Sequence, residues 1–309
     1  MLQTIGAIRA EVAKAVSGKA DVTDLMLMAM LASGHVLLED VPGVGKTTTA
    51  LAFSRALGLE FKRVQFTPDV VPSDVTGFSM YEQGSGFRFV PGAAMCNLLL
   101  ADEINRTSSK TQSALLEVME ERQVTVDGVT RALPDPFIVI ATQNPVGSAG
   151  TQQLPESQLD RFMVRLSMGY PSRAAQVELL RGRQGANPLD SVHQVVDSSG
   201  LVKMRAHVDG IFVADAVLGY ATDLTEATRN DERIELGVSP RGALALVRMA
   251  KARALFSGRE WVEPTDVYDV LVCTCAHRLL LSPRARLDGA TQAQVLLSLA
   301  ARVAPPTLS

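Results

Sequence analysis

Residues 36 to 49 read Val36-Leu37-Leu38-Glu39-Asp40-Val41-Pro42-Gly43-Val44-Gly45-Lys46-Thr47-Thr48-Thr49. An apolar run of strand length enters a glycine-bearing turn, and the turn opens a helix that continues to Leu57 and stops at Gly58. Strand, Gly-x-Gly-Lys-Thr and helix together describe a phosphate cradle. Backbone N–H groups of Gly43 to Thr47 converge on a β/γ-phosphate, the helix N-terminus adds the positive end of its dipole, and Lys46 adds a full charge. Pro42, Gly43, Val44, Gly45, Lys46, Thr47 and Thr48 are the candidate nucleotide-binding residues, and the Thr47 hydroxyl is a candidate magnesium ligand. The strict G-x-x-x-x-G-K-T string is broken, because Asp40 stands where its first glycine belongs. The two glycines, the lysine and the threonine that touch phosphate are all present.

The 309 residues, 47% hydrophobic and 20% charged, suit two domains of an ordinary globular chain and give no sign of disorder. A net charge of -3 and a pI near 5.9 do not favour nucleic acid through bulk electrostatics, and no nucleic-acid partner is expected. Cys96, Cys273 and Cys275 are too few for a disulfide framework and fit a reducing compartment. The apolar stretch Leu25 to Ala32 is far below the roughly 20 residues that cross a bilayer, so direct membrane insertion is not expected. Without a basic leader or cleavage site, it reads as a buried helix of a cytoplasmic protein.

Upstream of the cradle, Ile5, Ile8, Val12, Ala15 and Val16 share one helical face, and a second helix is expected from about Thr23 to Ala32. Downstream, Phe61 to Phe66 reads as a second strand, and Leu98 to Ala101, Phe137 to Ala141 and Phe162 to Leu166 are short apolar runs without strict alternation. Strands buried on both faces of a parallel sheet have this character, and helical segments separate them, so the first half reads as α/β with a five-stranded parallel sheet. Asp127-Gly128 between Val124-Thr125-Val126 and Val129-Thr130-Arg131 is the two-residue signal of a type I′ hairpin. A second small hairpin is expected between Asp74 and Pro91, turning at Gly84-Ser85-Gly86.

After Tyr170-Pro171 no further convincing strand appears, and helices are expected at about 173 to 183, 199 to 208, 214 to 229, 240 to 257, 265 to 281 and 290 to 303. The character changes between 172 and 188, with Gly185 to Pro188 as a flexible joint. The division adopted is residues 1–180 for the α/β nucleotide-binding core and 181–309 for an all-helical domain.

Two further strands end in chemistry. Leu98-Leu99-Leu100-Ala101 runs into Asp102-Glu103, which fall beyond the carboxyl end of a parallel strand, where ligands bind. Asp102 is read as holding magnesium through its water shell, and Glu103 as accepting the proton of an attacking water. The bland alternative is that both acids merely cap the next helix, whose N-cap is Thr107 or Ser108. The stretch Phe137 to Asn144 is another such strand and ends in Asn144, an amide able to align the γ-phosphate and the water, though Asn before Pro145 is also ordinary turn chemistry. Cys273-Thr274-Cys275-Ala276-His277 offers too few ligands for a closed metal site and is read as core. His35 is read as packing or adenine-side lining, and the Met-rich helix at 25 to 32 as core.

Taken in order, Leu37 to Thr47, Ala101-Asp102-Glu103-Ile104-Asn105-Arg106, Lys110 to Glu117, Ala141-Thr142-Gln143-Asn144-Pro145, Leu154 to Phe162 and Ser239-Pro240-Arg241 resemble the MoxR family of AAA+ ATPases. The resemblance spans nearly the whole chain and leaves no appended domain, so the ATPase module alone is expected. It implies a P-loop AAA+ core with a smaller all-α lid, ATP and Mg2+ as ligands, and a homo-oligomeric ring, usually hexameric, with ATP bound between neighbours. Arg161 matches the arginine finger that reaches a neighbour's γ-phosphate, with Arg165 and Arg106 as rival positions. Arg241 matches the sensor-2 arginine of the lid. In the related magnesium-chelatase clade the lid is displaced, so action in cis and in trans both stay open. The two hairpins resemble the helix-2 insert and the pre-sensor-1 hairpin of that clade, which face the pore or the client.

The resemblance further implies a chaperone-like role, remodelling or activating a protein partner that often carries a VWA domain. The alternatives are the motor subunit of a metal chelatase and a P-loop phosphoryl-transfer kinase. Glu103 and Asn144 suit water as the nucleophile better than a kinase acceptor. A DNA motor is disfavoured by the acidic balance, and a GTPase by the absence of an Asn-Lys-x-Asp string.

Overall fold

The computed structural model describes residues 1–84, 86–144, 154–182 and 187–307, with backbone alone over 178–182. Gly185 and Ala186 of the joint expected at Gly185 to Pro188, together with Ser85 and Pro145, lie outside these residues. The chain begins with helices α1 (Leu2–Ala15) and α2 (Ala20–Leu31), then β1 (Val36–Glu39), α3 (Lys46–Ala56), β2 (Phe61–Gln65) and the short α4 (Pro72–Thr76). A hairpin β3 (Gly77–Glu82) and β4 (Gly86–Pro91) precedes β5 (Leu98–Asp102) and α5 (Ser109–Glu121). The hairpin β6 (Gln123–Val126) and β7 (Val129–Ala132) precedes β8 (Ile138–Gln143), α6 (Glu156–Leu159) and β9 (Val164–Leu166). Then follow α7 (Arg173–Gly182), α8 (Ser198–Asp209), α9 (Asp215–Arg229), β10 (Ile234–Leu236), α10 (Pro240–Phe256), α11 (Pro264–Cys275), β11 (Leu280–Leu281), α12 (Pro283–Leu287) and α13 (Gln292–Ala300).

Strands β2-β5-β8-β1-β9 form one parallel sheet in that order. Its side chains alternate between two apolar layers. Val36, Leu38, Leu98, Leu100, Ile138 and Ile140 join the layer of α1, α2 and α3, whereas Leu37, Leu99, Ala101, Val139 and Ala141 join Leu115 and Met119 of α5. The central strands β1, β5 and β8 are therefore buried on both faces, which explains their lack of polar alternation, while β2 at the sheet edge is partly exposed. Leu246 and Met249 of α10, Leu271 of α11 and Leu296 of α13 continue the first layer into the C-terminal helices. Met26, Met28 and Met30 are buried in it.

Both hairpins form, and Asp127 and Gly128 take the positive φ values of 51° and 75° that a type I′ turn requires. Two expectations are corrected. Helix α2 starts three residues earlier than Thr23. The helix expected over 265 to 281 ends at Cys275, and Leu280–Leu281 pairs antiparallel with Ile234–Leu236, so the C-terminal part is helical apart from one short ribbon. The cause is tertiary: Arg278 donates through Nε to Asp160 Oδ1 at 2.8 Å, and His277 Nε2 lies 3.1 Å from the Phe162 carbonyl. These buried contacts pull the chain out of its helical path.

Burial pushes the thiols of Cys275 and Cys273 up to about 12 and about 11, as fits core residues. Among the described residues no cluster of three or more His, Cys, Asp or Glu could hold a metal, and no helix is long and apolar enough to cross a membrane.

Candidate nucleotide site

The phosphate loop leaves the carboxyl end of β1 and folds as the sequence requires. Gly43 and Gly45 take φ values of 86° and 97°, in the left-handed region, and nothing lies within 4 Å of where their Cβ atoms would stand. The concavity is thus open for a ligand, bounded by backbone that only glycine adopts without strain. Lys46 is buried at the start of α3, and its ammonium donates to the Asp40 carbonyl at 2.8 Å. Burial lowers its pKa.

Asp40, which breaks the strict motif, has a structural function. Its buried carboxylate accepts the Ser167 hydroxyl at 3.1 Å, the Gly169 N–H at 3.2 Å and the Met168 N–H. On its other side the same segment is held by Lys19, whose ammonium donates to the carbonyls of Met168, Gly169 and Tyr170. Asp40 therefore fastens the phosphate loop to the chain between β9 and α7.

At the end of the neighbouring β5, Asp102 Oδ1 accepts the Thr142 hydroxyl at 2.6 Å, and Oδ2 accepts Arg63 Nη2 at 2.7 Å. Glu103 follows with φ 57°, a left-handed conformation rare for a side-chain-bearing residue and concentrated at functional sites. Its N–H donates to Thr142 Oγ1 at 2.9 Å. Its carboxylate accepts Arg106 Nη1 at 2.9 Å and Asn144 Nδ2 at 3.2 Å. The Arg106 hydrogen bond is the main cause that holds the Glu103 carboxyl below its usual range. The buried Asn144 Oδ1 has no hydrogen-bond partner among the described residues. Neither acid caps α5, because Ser108 does so, accepting the Thr111 N–H. A hydroxyl at Thr47 and a carboxylate at Asp102, with phosphate oxygens and water beside them, is the oxygen donor set that suits magnesium.

Arg161 and Arg241 are brought together elsewhere. Arg161 stands three residues before β9, which pairs with β1 from Val36 onward, and it lines a cavity with Gly34 and His35, so it sits at the amino edge of the sheet, opposite the phosphate loop. The length of β1 alone separates the two edges by roughly 10 Å. Arg161 Nε lies 3.4 Å from Glu120 Oε2, and Arg241 pairs with Glu120 Oε1. Ser239 caps α10 with Pro240 after it, as expected. Of the rival fingers, Arg106 lies beside Glu103 in its own site, and Arg165 pairs with Glu39 at 3.2 Å. His35 is a packing residue, hydrogen-bonded to Val139 N–H and near the Met119 carbonyl.

Sequence reasoning gave no role to Thr142, Arg63 or Glu120. Thr142 was within reach: β5 and β8 pair with a constant offset, Leu98 to Ile138 and Ala101 to Ala141, and one more step sets Thr142 beside Asp102.

Residues 35–164 match the model of the ATPase family associated with various cellular activities (AAA), and residues 226–298 match the AAA lid domain. The chain is 48% identical to the uncharacterized protein YeaC of Bacillus subtilis over 88% of this chain and 85% of that one. It is 39% identical to the chaperone MoxR1 of Mycobacterium tuberculosis over 97% of this chain and 81% of that one. A crystal structure from Cytophaga hutchinsonii, described as a candidate ATPase, superposes with a TM-score of 0.92 at 34% identity, covering 99% of this chain and 96% of that one.

Proposed function

This chain belongs to the MoxR family of AAA+ ATPases, and on that premise we propose that it hydrolyses ATP at sites shared between subunits of a homo-oligomeric ring. The reading is carried by one observation: Lys46, Asp102, Glu103 and Asn144 cluster at the carboxyl edge of the sheet, whereas Arg161 and Arg241 stand together at the opposite edge. A subunit so built supplies the cradle to one nucleotide and arginines to the next. Arg161 is the finger, and Arg241, sharing its counter-ion, acts on the same neighbouring nucleotide, in trans.

Within the cradle, the loop N–H groups and Lys46 hold the β- and γ-phosphates, and Lys46 leaves the Asp40 carbonyl to do so. Thr47 and Asp102 would hold Mg2+, which when bound neutralises charge on the phosphate oxygens. Thr142 and Arg63 fix the Asp102 carboxylate. Water attacks the γ-phosphorus in line. Its oxygen bonds to phosphorus, the bond to the β,γ-bridging oxygen breaks, and the proton passes to Glu103. Asn144, donating to Glu103, presents its free carbonyl oxygen to that water. Arg161 meets the charge that spreads over the γ-oxygens.

The division at about residue 180 separates this nucleotide-binding core from the lid that carries Arg241. The ring, of which a hexamer is the expected form, couples hydrolysis to remodelling a protein client, and a VWA-domain protein is the partner class we favour. ATP turnover per subunit, measured against protein concentration in magnesium, tests the shared site. The rate per subunit rises with concentration if a neighbour completes the site. A flat rate over a range in which sizing shows single subunits would contradict it.

A further inference from the structure

We propose that Glu120 is a positioning residue that sheathes Arg161 and Arg241 until a neighbour's nucleotide draws them off, so that hydrolysis waits for assembly. The inference rests on the trans reading above and adds a residue that no motif identifies. Glu120 lies in the last turn of α5, and its two carboxylate oxygens are divided between the two arginines, Oε2 facing Arg161 Nε and Oε1 facing Arg241. The three side chains line one cavity of about 400 Å³.

That cavity is unbalanced in charge. Arg122, Arg248 and Arg278 line it as well, and its only other carboxylate is Asp160 among the described residues. Asp160 is already engaged, with Oδ1 accepting Arg278 Nε at 2.8 Å and Oδ2 accepting the Ser239 hydroxyl at 2.8 Å. Within this cavity, among the described residues, Glu120 is therefore the carboxylate that pairs with both Arg161 and Arg241, while on its other side Arg161 also lines a smaller cavity with Glu117 and Glu121. The excess of guanidinium groups suits a polyanion brought from outside the subunit, which is what a bound nucleoside triphosphate presents.

The pairing is also weak enough to be exchanged. The side chains of Glu120, Arg161 and Arg241 are 36%, 30% and 42% exposed, and ion pairs open to water contribute little. A triphosphate offers each arginine several charged oxygens in a less hydrated interface, where the same attraction is stronger. Glu120 competes with the phosphates for the same donors, so removing its charge should ease assembly on a nucleotide-loaded neighbour.

The test is ATP turnover per subunit against protein concentration for the wild type, Glu120→Gln and Glu120→Asp. Glu120→Gln keeps the shape without the charge, and its half-maximal concentration should fall roughly threefold or more. Glu120→Asp keeps the charge and should stay close to the wild type. An unchanged or higher half-maximal concentration in Glu120→Gln, or equal shifts in both variants, would overturn the sheath while leaving the trans site standing. A wild-type rate independent of concentration among single subunits would overturn both.

Discussion

Asn144 Nδ2 donates to Glu103 Oε1 at 3.2 Å, joining the ends of two adjacent parallel strands through the pair of side chains that would face an attacking water. Arg106 first, and the Asn144 amide after it, lower the Glu103 pKa and hold its carboxylate in place. Binding of ATP does not need this base. Glu103→Gln should therefore retain ATP while turnover falls by about 10²- to 10⁴-fold. Equilibrium binding and single-turnover hydrolysis on the same preparation check it, and undiminished turnover would remove Glu103 from its role.

Lys46 is the one side chain of the loop that brings a full positive charge to the phosphates. Lys46→Ala should weaken nucleotide binding by about tenfold to a hundredfold, the worth of a charged hydrogen bond. Calorimetric titration with ADP and with ATP measures it. Unchanged affinity would move the nucleotide elsewhere.

Asp40 yields a counter-intuitive expectation. Asp40→Gly restores the strict phosphate-loop string, yet it leaves the Met168 and Gly169 N–H groups without their acceptor. The variant should be less stable by about 1–3 kcal/mol, read from urea unfolding. Equal or greater stability would show that the clamp between the phosphate loop and the chain after β9 carries no energy.

These residues also show what the sequence alone could tell. The cradle and the Asp102-Glu103 pair were legible because their chemistry is local: glycines at a turn, carboxylates at a strand end. The central strands β1, β5 and β8 were legible because burial on both faces leaves them largely apolar, whereas the edge strand β2 is partly exposed and carries Lys62 and Arg63. The bonds that finish the site are not local. Thr142 meets Asp102 across 40 positions, Arg63 meets it across 39, and Asp40 reaches Gly169 across 129. The helix expected to run to 281 failed for the same reason, because Arg278 is drawn to Asp160 by a contact that periodicity does not carry. Arg161 is the sharpest case, since the acid beside it in the chain is Asp160. Its partner is instead Glu120, and Asp160 binds Arg278 and Ser239.

His35 sets an acid limit on the fold. Its Nδ1 accepts the Val139 N–H at 2.9 Å and its Nε2 lies 3.1 Å from the Met119 carbonyl, so the ring is neutral with its proton on Nε2. Burial pushes its pKa down to about 4 from an ordinary 6.5. Between those values the unfolded chain binds more protons than the folded one. Stability from this group is complete above about pH 6.5, falls as the pH drops through the window, and is lower by about 3 kcal/mol near pH 4. Urea midpoints followed from about pH 8 to about pH 4 should decline more steeply in the wild type than in His35→Gln. Parallel slopes would contradict the assignment.

In the proposed ring, Arg161 of one subunit serves the cradle of another. Lys46→Ala and Arg161→Ala should each be nearly inactive, the second by about 10³-fold or more. Mixed before assembly, they form some interfaces in which an intact cradle meets an intact arginine. The mixture should recover ATP turnover well above the sum of its two components. A mixture that stays at that sum, under conditions where labelled subunits are seen to share rings, would contradict it.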